Sequence, residues 1–507
     1  MRLKNAFRNS FFSIISQIIL IIVGFFSQRV MNLRLGEELV GMNSVMSNII
    51  ALLSVTELGI SVAVGYHLYR AIANEEEKQI ASLMNLYRRT YYVFAVVIGV
   101  LGLAVMPFVH LFLRKNSFTL GFIRIVFGLW LLKTVASYLL SYQRSMLIAD
   151  QKEYIVSIGT LIANALNYIF IIIIVELFRN YILALSLGIL AECLINIWIA
   201  RYVGKKYPYL KTYRNAPLDK EVVSKVLGDI KNIFIMKLST KLLVSTDSLI
   251  MSSFISVGIV GLYSNYTMIT QSLINIIEAF SNTLQPTVGN LFIEKNHEKE
   301  FGLLRQITFL FFLFASFAAT SLFALMTPFI TSIWLNASYG LGLEIIIWCV
   351  INFYMLTMGF PLSMMMGVTG LFHKERNLAI AVAIVNIGLS LLLVKPFGIP
   401  GVLFGTLTAY ITQVVYRIKT LIGFYMKESC VRYIKDLLQY LFLTVAEVGI
   451  VYWIKQGFYE EGNFLCFVGL MLVCVIVPNI MNLLIFCKDW RFRSVLQKLT
   501  GLLKKQI

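Results

Sequence analysis

The chain has 507 residues, of which 58% are hydrophobic and only 14% are charged, and its mean hydropathy is +0.79. Soluble domains carry about 25% charged residues, so this composition excludes an ordinary soluble protein and indicates a polytopic membrane protein. The formal net charge of +18 would suggest a nucleic-acid partner in a soluble protein, but Lys and Arg collect in the cytoplasmic loops of membrane proteins. We therefore predict no nucleic-acid partner.

Cysteine and histidine give no sign of a disulfide framework or a metal site. The six cysteines are scattered, no two have CxxC spacing, and the four histidines are not clustered. Zinc sites and disulfide frameworks need such spacing. We therefore predict no metal site and no cofactor.

Fourteen apolar runs are long enough to cross a bilayer, which requires about 20 residues. In chain order they cover residues 10–28, 39–66, 87–112, 119–141, 154–175, 181–202, 232–255, 258–288, 303–330, 342–366, 376–394, 400–422, 436–455 and 464–486. The predicted fold class is therefore an all-α polytopic membrane protein with about 14 transmembrane helices. Residues 204–231 form the longest loop, and apolar residues at helical spacing between Leu218 and Ile230 predict an interfacial helix there.

The distribution of Lys and Arg predicts the orientation of the chain. With the N-terminus in the cytoplasm, only seven of the 44 Lys and Arg residues lie in outer loops, and four lie inside spans. The outer seven are Arg29, Arg34, Arg114, Lys115, Arg179, Lys395 and Lys455. Such an excess on one side follows the positive-inside rule, so we predict that both termini are cytoplasmic.

The two halves of the chain resemble each other. VGMNS at Val40–Ser44 matches VGLYS at Val260–Ser264, an offset of 220, and Lys152-Glu153 matches Lys374-Glu375, an offset of 222. Each unit holds six spans, an even number, so the two copies share one orientation and an axis along the membrane normal relates them. The predicted organisation is a six-helix lobe at 1–203, a loop at 204–231, a second six-helix lobe at 232–423, and helices 13 and 14 with a basic tail at 424–507.

Polar side chains form one helical stripe along span 8. They step by three or four residues through Ser264, Thr267, Gln271, Asn275, Glu278, Asn282 and Gln285. Span 2 repeats the pattern with Ser44, Ser47, Ser54, Glu57 and Ser61. Hydrogen bonding between packed helices is one explanation. Seven polar residues exceed what one helix contact needs, which favours a water-filled cavity beside span 8.

Span 7 carries three charged residues, Lys237, Lys241 and Asp247. At 1.5 Å per residue, Lys237 lies roughly 8 Å deep and Lys241 roughly 14 Å deep. Lys237 can snorkel to the headgroups, whereas snorkelling is harder for Lys241, near the midplane, and for the similarly central Lys133 of span 4. A central cation in a polar cleft suits an anionic ligand such as a diphosphate. The intramembrane acids Asp247, Glu57 and Glu278 suit exchange of H+ or Na+, although some acids there serve to neutralise cations.

Two stretches resemble a known family. LGEELVGMNSVMSNIIALLSVTELGISVAVGYHL resembles the second span of polysaccharide repeat-unit flippases, of the O-antigen and capsule type, and STDSLIMSSFISVGIVGLYS resembles their seventh span. These flippases belong to the multidrug/oligosaccharidyl-lipid/polysaccharide (MOP) exporter superfamily. The resemblance implies two six-helix lobes with alternating access, a bacterial plasma membrane, and partners among other polysaccharide-assembly proteins. Spans 13 and 14 depart from the twelve-span form, and related lipid II flippases also have fourteen.

The resemblance implies a polyprenyl-diphosphate-linked oligosaccharide as substrate, moved from the inner to the outer leaflet. Its diphosphate would meet Lys241, Lys237 and Lys133, and its sugars the amides of Gln271, Asn275 and Asn282. A lipid II flippase and a cation-coupled drug exporter of the same superfamily remain open, although two central lysines disfavour cationic cargo. A polysaccharide polymerase has similar hydropathy, but the outer loops here are short and carry no catalytic constellation, so we predict a protein that is not an enzyme.

Overall fold

A computed structural model describes residues 2–54, 68–69, 71–213, 238–292 and 296–493. This part of the chain forms helices and contains no strand, which confirms the predicted all-α class. The fourteen long helices are α1 (Arg2–Leu35), α2 (Glu37–Leu53), α3 (Glu77–Val105), α4 (Leu120–Ser141), α5 (Glu153–Phe178), α6 (Tyr181–Lys206), α7 (238–254), α8 (Val257–Phe292), α9 (His297–Pro328), α10 (Leu343–Val368), α11 (Phe372–Phe397), α12 (Ile399–Arg417), α13 (Cys430–Phe458) and α14 (Phe464–Phe486).

Each long helix corresponds to one predicted span. Over the described residues, eleven helices are long and apolar enough to cross a membrane. The other three are α2 and α7, each described over 17 residues, and α8, which carries the polar stripe. The predicted interfacial helix between Leu218 and Ile230 lies outside the described residues.

A short capped loop joins α5 and α6 and reverses the chain direction. Between α5 and α6, Arg179 adopts a left-handed conformation with φ 51° and ends α5. The side chain of Asn180 then accepts a hydrogen bond of 3.0 Å from the backbone N–H of Leu183. Such a cap satisfies one of the free N–H groups at the start of a helix. The whole turn takes two residues, so α5 and α6 pack side by side as an antiparallel pair.

The chain packs into two compact units, Met1–Gly261 and Leu262–Ile507. The packing boundary therefore falls after the first turn of α8, and α7 packs with the first unit. The domain boundaries predicted at residues 203, 231 and 423 remain predictions.

Contacts within the first unit bring the predicted outer loops to one end of the helices. Glu38, in the first turn of α2, accepts hydrogen bonds from the backbone N–H and the hydroxyl of Ser117, at 3.0 and 2.6 Å. Arg114 in the same loop donates from its guanidinium to the carbonyl of Phe254, at 2.7 Å, at the end of α7. The ends of α1 and α5 are joined by the ion pair of Arg34 with Glu176. The up-and-down course predicted from sequence is thus present in this unit.

The two matching motifs of the internal repeat meet directly. A Cβ added to Gly41 would lie 2.8 Å from the N atom of Gly261, and a Cβ added to Gly261 would lie 2.7 Å from the carbonyl carbon of Glu37. A Cβ added to Gly41 would also meet the carbonyl group of Val257. Glu37 with Val257 and Gly41 with Gly261 are two pairs at the repeat offset of 220. The contact is therefore reciprocal, as expected for two related copies, and it requires residues without a side chain.

In the second unit, α9 lies against α10, α13 and α14, while α11 and α12 form a tight pair. The amide of Asn386 in α11 donates to the hydroxyl of Thr406 in α12, at 2.9 Å. Gly401 and Gly405 let the two backbones approach closely, since a Cβ on Gly401 would reach the carbonyl group of Leu393. Small residues and buried polar bonds are the usual means of helix association in membranes.

Candidate functional site

One of the predicted cations has a carboxylate partner. The ammonium of Lys133 in α4 lies 3.6 Å from Oε2 of Glu192 in α6, and both side chains are about three-quarters buried. The same ammonium lies 5.2 Å from the ring centre of Trp130. Intramembrane charges usually pair in this way. In this conformation Glu192 therefore neutralises Lys133.

The cation of α7 has a different environment. Lys241 is half-buried, and no carboxylate forms an ion pair with its ammonium among the residues that the structure describes. Asp247 lies six residues further along α7 and is buried. Two other predicted site residues, Lys237 and Glu57, lie outside the described residues. Lys241 is thus a half-buried cation without a carboxylate ion pair in the described part of the chain.

The polar stripe of α8 belongs largely to the second unit. Gln271, Glu278 and Asn282 are exposed, Asn275 is half-buried, and the amide of Gln271 donates to Oδ1 of Asn275 at 2.9 Å. Another face of the helix is packed, and Ile277 and Ser281 are buried there. This amide pair joins two stripe residues one turn apart on the same helix.

We expect cysteines introduced at Gln271, Asn275 and Asn282 to react with small aqueous thiol reagents in intact membranes. Cysteines at Ile269 and Ile276 should not react, because these positions lie on the opposite, apolar face of α8. The measurement is the labelled fraction of each variant, with the buried Ile277 as a further negative position. Equal labelling of both faces, or of neither, would contradict a water-filled cavity beside α8.

A cavity of about 400 Å³ lies at the predicted outer ends of α1, α5 and α6. Its walls include Leu35, Phe118 and Phe178, with Arg179 and Tyr181 as polar groups. None of the predicted site residues that the structure describes lines it. Among the described residues, no group of three or more His, Cys, Asp or Glu side chains could hold a metal ion.

Sequence reasoning missed a buried charge cluster that joins α9, α13 and the segment after α14. The carboxylate of Asp436 accepts from Arg305 at 2.6 and 3.1 Å and forms an ion pair with Arg491 at 2.9 Å. Arg491 also bonds to Tyr440 and Asp489. Arg305 and Asp436 are 131 residues apart, so no local pattern in the sequence could have linked them.

The three-dimensional fold has known counterparts, although no family model and no curated protein matches the sequence. The lipid II flippase MurJ, in an inward closed conformation, aligns with a TM-score of 0.72 at 16% identity, covering 94% of this chain and 99% of that one. An inward-facing multidrug resistance MATE family transporter of the MOP superfamily aligns with a TM-score of 0.68 at 13% identity, covering 80% and 97%. The chain shares the fold of these transporters.

A third counterpart is a MOP superfamily transporter from Pyrococcus furiosus, described as having a binding pocket of reversed polarity. It aligns with a TM-score of 0.59 at 14% identity and covers 84% of this chain and 97% of its own length. Identities this low establish the shared fold and leave the substrate to be argued from the residues of this chain.

Proposed function

We propose that this protein is a flippase of the MOP fold that moves a polyprenyl-diphosphate-linked oligosaccharide from the inner to the outer leaflet by alternating access. Lys241 carries the proposal, because it is a half-buried cation without a carboxylate partner among the described residues. An ammonium in a low-dielectric site attracts a diphosphate strongly. The same cation repels the cationic cargo of a drug exporter. The exposed amides on α8 offer donors and acceptors to the sugars.

Lys133 and Lys241 differ in whether a carboxylate balances them, and this difference assigns them different roles in the proposal. Lys133 is balanced by Glu192, so a diphosphate that approached it would compete with an existing partner. Lys241 has no such competitor among the described residues. We therefore assign the main diphosphate contact to Lys241 and a secondary role to Lys133. The amides of Gln271, Asn275 and Asn282 remain proposed sugar contacts, and Asp247, Glu57 and Glu278 remain proposed sites of H+ or Na+ coupling.

A lipid II flippase is the second candidate, because the alignment with the MurJ structure covers nearly all of both chains. Both cargoes carry a polyprenyl diphosphate, so the role proposed for Lys241 is the same in either case. The two cargoes differ in the glycan that they carry. We assign the selection of the glycan to the exposed amides of α8.

We expect Lys241→Ala to insert normally but to lower the initial rate of flipping at least about tenfold, a loss of ~1.4 kcal/mol or more. Lys241→Arg should retain much of the rate, because the charge is kept although its geometry differs. The assay uses proteoliposomes that contain a polyprenyl-diphosphate-linked monosaccharide, and a membrane-impermeant glycosyltransferase outside reports the exposed fraction. Lipid II and a cationic dye are tested in parallel.

The matched control is the double variant Lys133→Met with Glu192→Gln, which removes a balanced pair and leaves no orphan charge. We expect it to lower the rate far less than Lys241→Ala does, in keeping with the secondary role assigned to Lys133. Transport of the dye without either lipid would refute the proposal in favour of a drug exporter. A Lys241→Ala variant as active as the parent would show that the lysine is structural.

A further inference from the structure

A single carboxylic acid lies fully buried at the middle of α13. Glu447 has 0% of its surface exposed. It lies eleven residues from Asp436 on the predicted inner side and eight residues from Lys455 on the predicted outer side, or about 16 and 12 Å along the helix. This depth is near the centre of a bilayer, where a charged side chain is costly and usually has a functional role.

Four helices converge on this carboxyl. Ser316 of α9 and Asn482 of α14 lie beside it, and Tyr354 of α10 faces it. Asn482 donates from Nδ2 to the hydroxyl of Ser316, at 3.1 Å. Both oxygens of Glu447 and Oδ1 of Asn482 lack a hydrogen-bond partner among the described residues. The hydroxyl of Tyr354 is also without a partner among these residues, so three unpaired acceptors face one unpaired hydroxyl, which is unfavourable in a buried site.

The polar layer around Glu447 is closed on both sides by apolar side chains. Towards the predicted outer side, Val451 packs with Ala324, Leu470 and Cys474 in a buried cluster. Towards the predicted inner side, Phe312 stacks on Tyr440 with ring centres 4.3 Å apart, and Phe486 packs against both rings. Water is excluded from the layer on both sides, so an ionised carboxylate there would keep no hydration.

In the described part of the chain, no cation balances Glu447. From α9, α10 and α14, the described groups that face its layer are Ser316, Tyr354, Cys474 and Asn482, and none of them is positively charged. On α13 itself, Asp436 is held by Arg305 and Arg491, and the ammonium of Lys455 donates to the carbonyl of Ala324. A neutral carboxyl has one O–H to donate, and Oδ1 of Asn482 is an acceptor that needs one.

We propose that Glu447 is a proton-binding site shared by α9, α10, α13 and α14, and that its proton holds α13 and α14 against α9 and α10. With the proton bound, the carboxyl donates to Asn482 and the layer is neutral. Loss of the proton leaves an unpaired charge in a dry layer, which is strongly unfavourable. The free-energy cost of this charge falls when α13 and α14 separate from their neighbours and admit water. Proton binding and docking of this helix pair are therefore linked, and each favours the other.

The test uses the purified full-length chain in nanodiscs of zwitterionic lipid, without any transport substrate, so its outcome is independent of the proposed flippase activity. Infrared spectroscopy should detect the C=O stretch of a buried neutral carboxyl at neutral pH, and alkaline pH should abolish it. Thermal unfolding should show a lower Tm over the same pH range. In Glu447→Gln, which mimics the neutral acid, the band should be absent and the Tm should not change over that range.

Glu344→Gln is the matched control, because Glu344 is an exposed acid in the first turn of α10. It should keep both the band and the pH dependence of the parent. Persistence of the band in Glu447→Gln would overturn the proposal. A Tm that falls at alkaline pH in that variant as much as in the parent would also overturn it. Measurements in NaCl and in choline chloride add a second arm. Stabilisation by Na+ that is lost in Glu447→Gln would overturn the proton assignment and indicate a sodium site.

Discussion

Gly41→Ala and Gly261→Ala should each destabilise the folded protein by about 1–3 kcal/mol, the usual cost of overpacking. The added methyl group of either variant meets backbone atoms of the neighbouring helix well inside 3.0 Å. A backbone carbonyl at the start of a helix cannot rotate away as a flexible side chain can. The first turns of α2 and α8 must therefore move apart. Under the proposed alternating access these outer ends separate, so we also expect both variants to favour the separated state.

The chain supplies a control in the same turn of α8. A Cβ added to Gly258 would lie 3.7 Å from Cγ of Glu37 and Glu38, an ordinary contact. Gly258→Ala should therefore be neutral or slightly stabilising, because Ala has the higher helix propensity. Thermal unfolding gives the stability of each variant, and hydrogen exchange of residues 36–46 and 256–266 reports the opening.

The double variant Gly41→Ala with Gly261→Ala distinguishes one shared contact from two separate ones. Once either methyl group has pushed the helices apart, the second has less to displace. We therefore expect the double loss to be smaller than the sum of the single losses. Equal stability of Gly41→Ala and Gly258→Ala, with equal hydrogen exchange, would mean that the two turns do not pack as the structure shows.

The internal repeat and the fourteen helices could be predicted because both follow from local patterns in the sequence. Apolar runs of span length give the helices, and VGMNS and VGLYS carry the same glycine into both copies. The same matching predicted related positions for Gly41 and Gly261, but not that these glycines touch. Contact between them depends on how closely the two backbones approach, which sequence periodicity does not encode.

Side-chain pairing was the part that sequence could not supply. Lys133 and Lys241 are both central cations by depth, yet Glu192 balances only Lys133 among the described residues. Glu278 and Glu447 are both intramembrane acids by sequence, yet Glu278 is exposed and Glu447 is fully buried. These differences arise from which helices are neighbours. The partners are far apart along the chain, so helical spacing carries no information about them.

The buried cluster around Asp436 carries the other large prediction. Asp436 is nearly fully buried and contacts the guanidinium groups of both Arg305 and Arg491, which are also buried. In Asp436→Leu, the guanidinium of Arg305 loses its bidentate acceptor in a site with little water. Removing one partner of a buried ion pair costs about 3–5 kcal/mol. We therefore expect a loss of that size, measured by thermal or denaturant unfolding in detergent, with Trp490 beside Arg305 as the fluorescent reporter.

The double variant Asp436→Leu with Arg305→Leu tests the physical reason for that loss. It removes the orphan cation together with its partner, and Arg491 keeps its bonds to Asp489 and Tyr440. An apolar replacement of a buried pair is often close to neutral, so the double variant should recover most of the stability lost in Asp436→Leu. Glu460→Gln, at an exposed acid after α13, controls for the change in net charge and should have little effect. A double variant as unstable as Asp436→Leu would show that packing around Asp436, rather than the unpaired charge of Arg305, causes the loss.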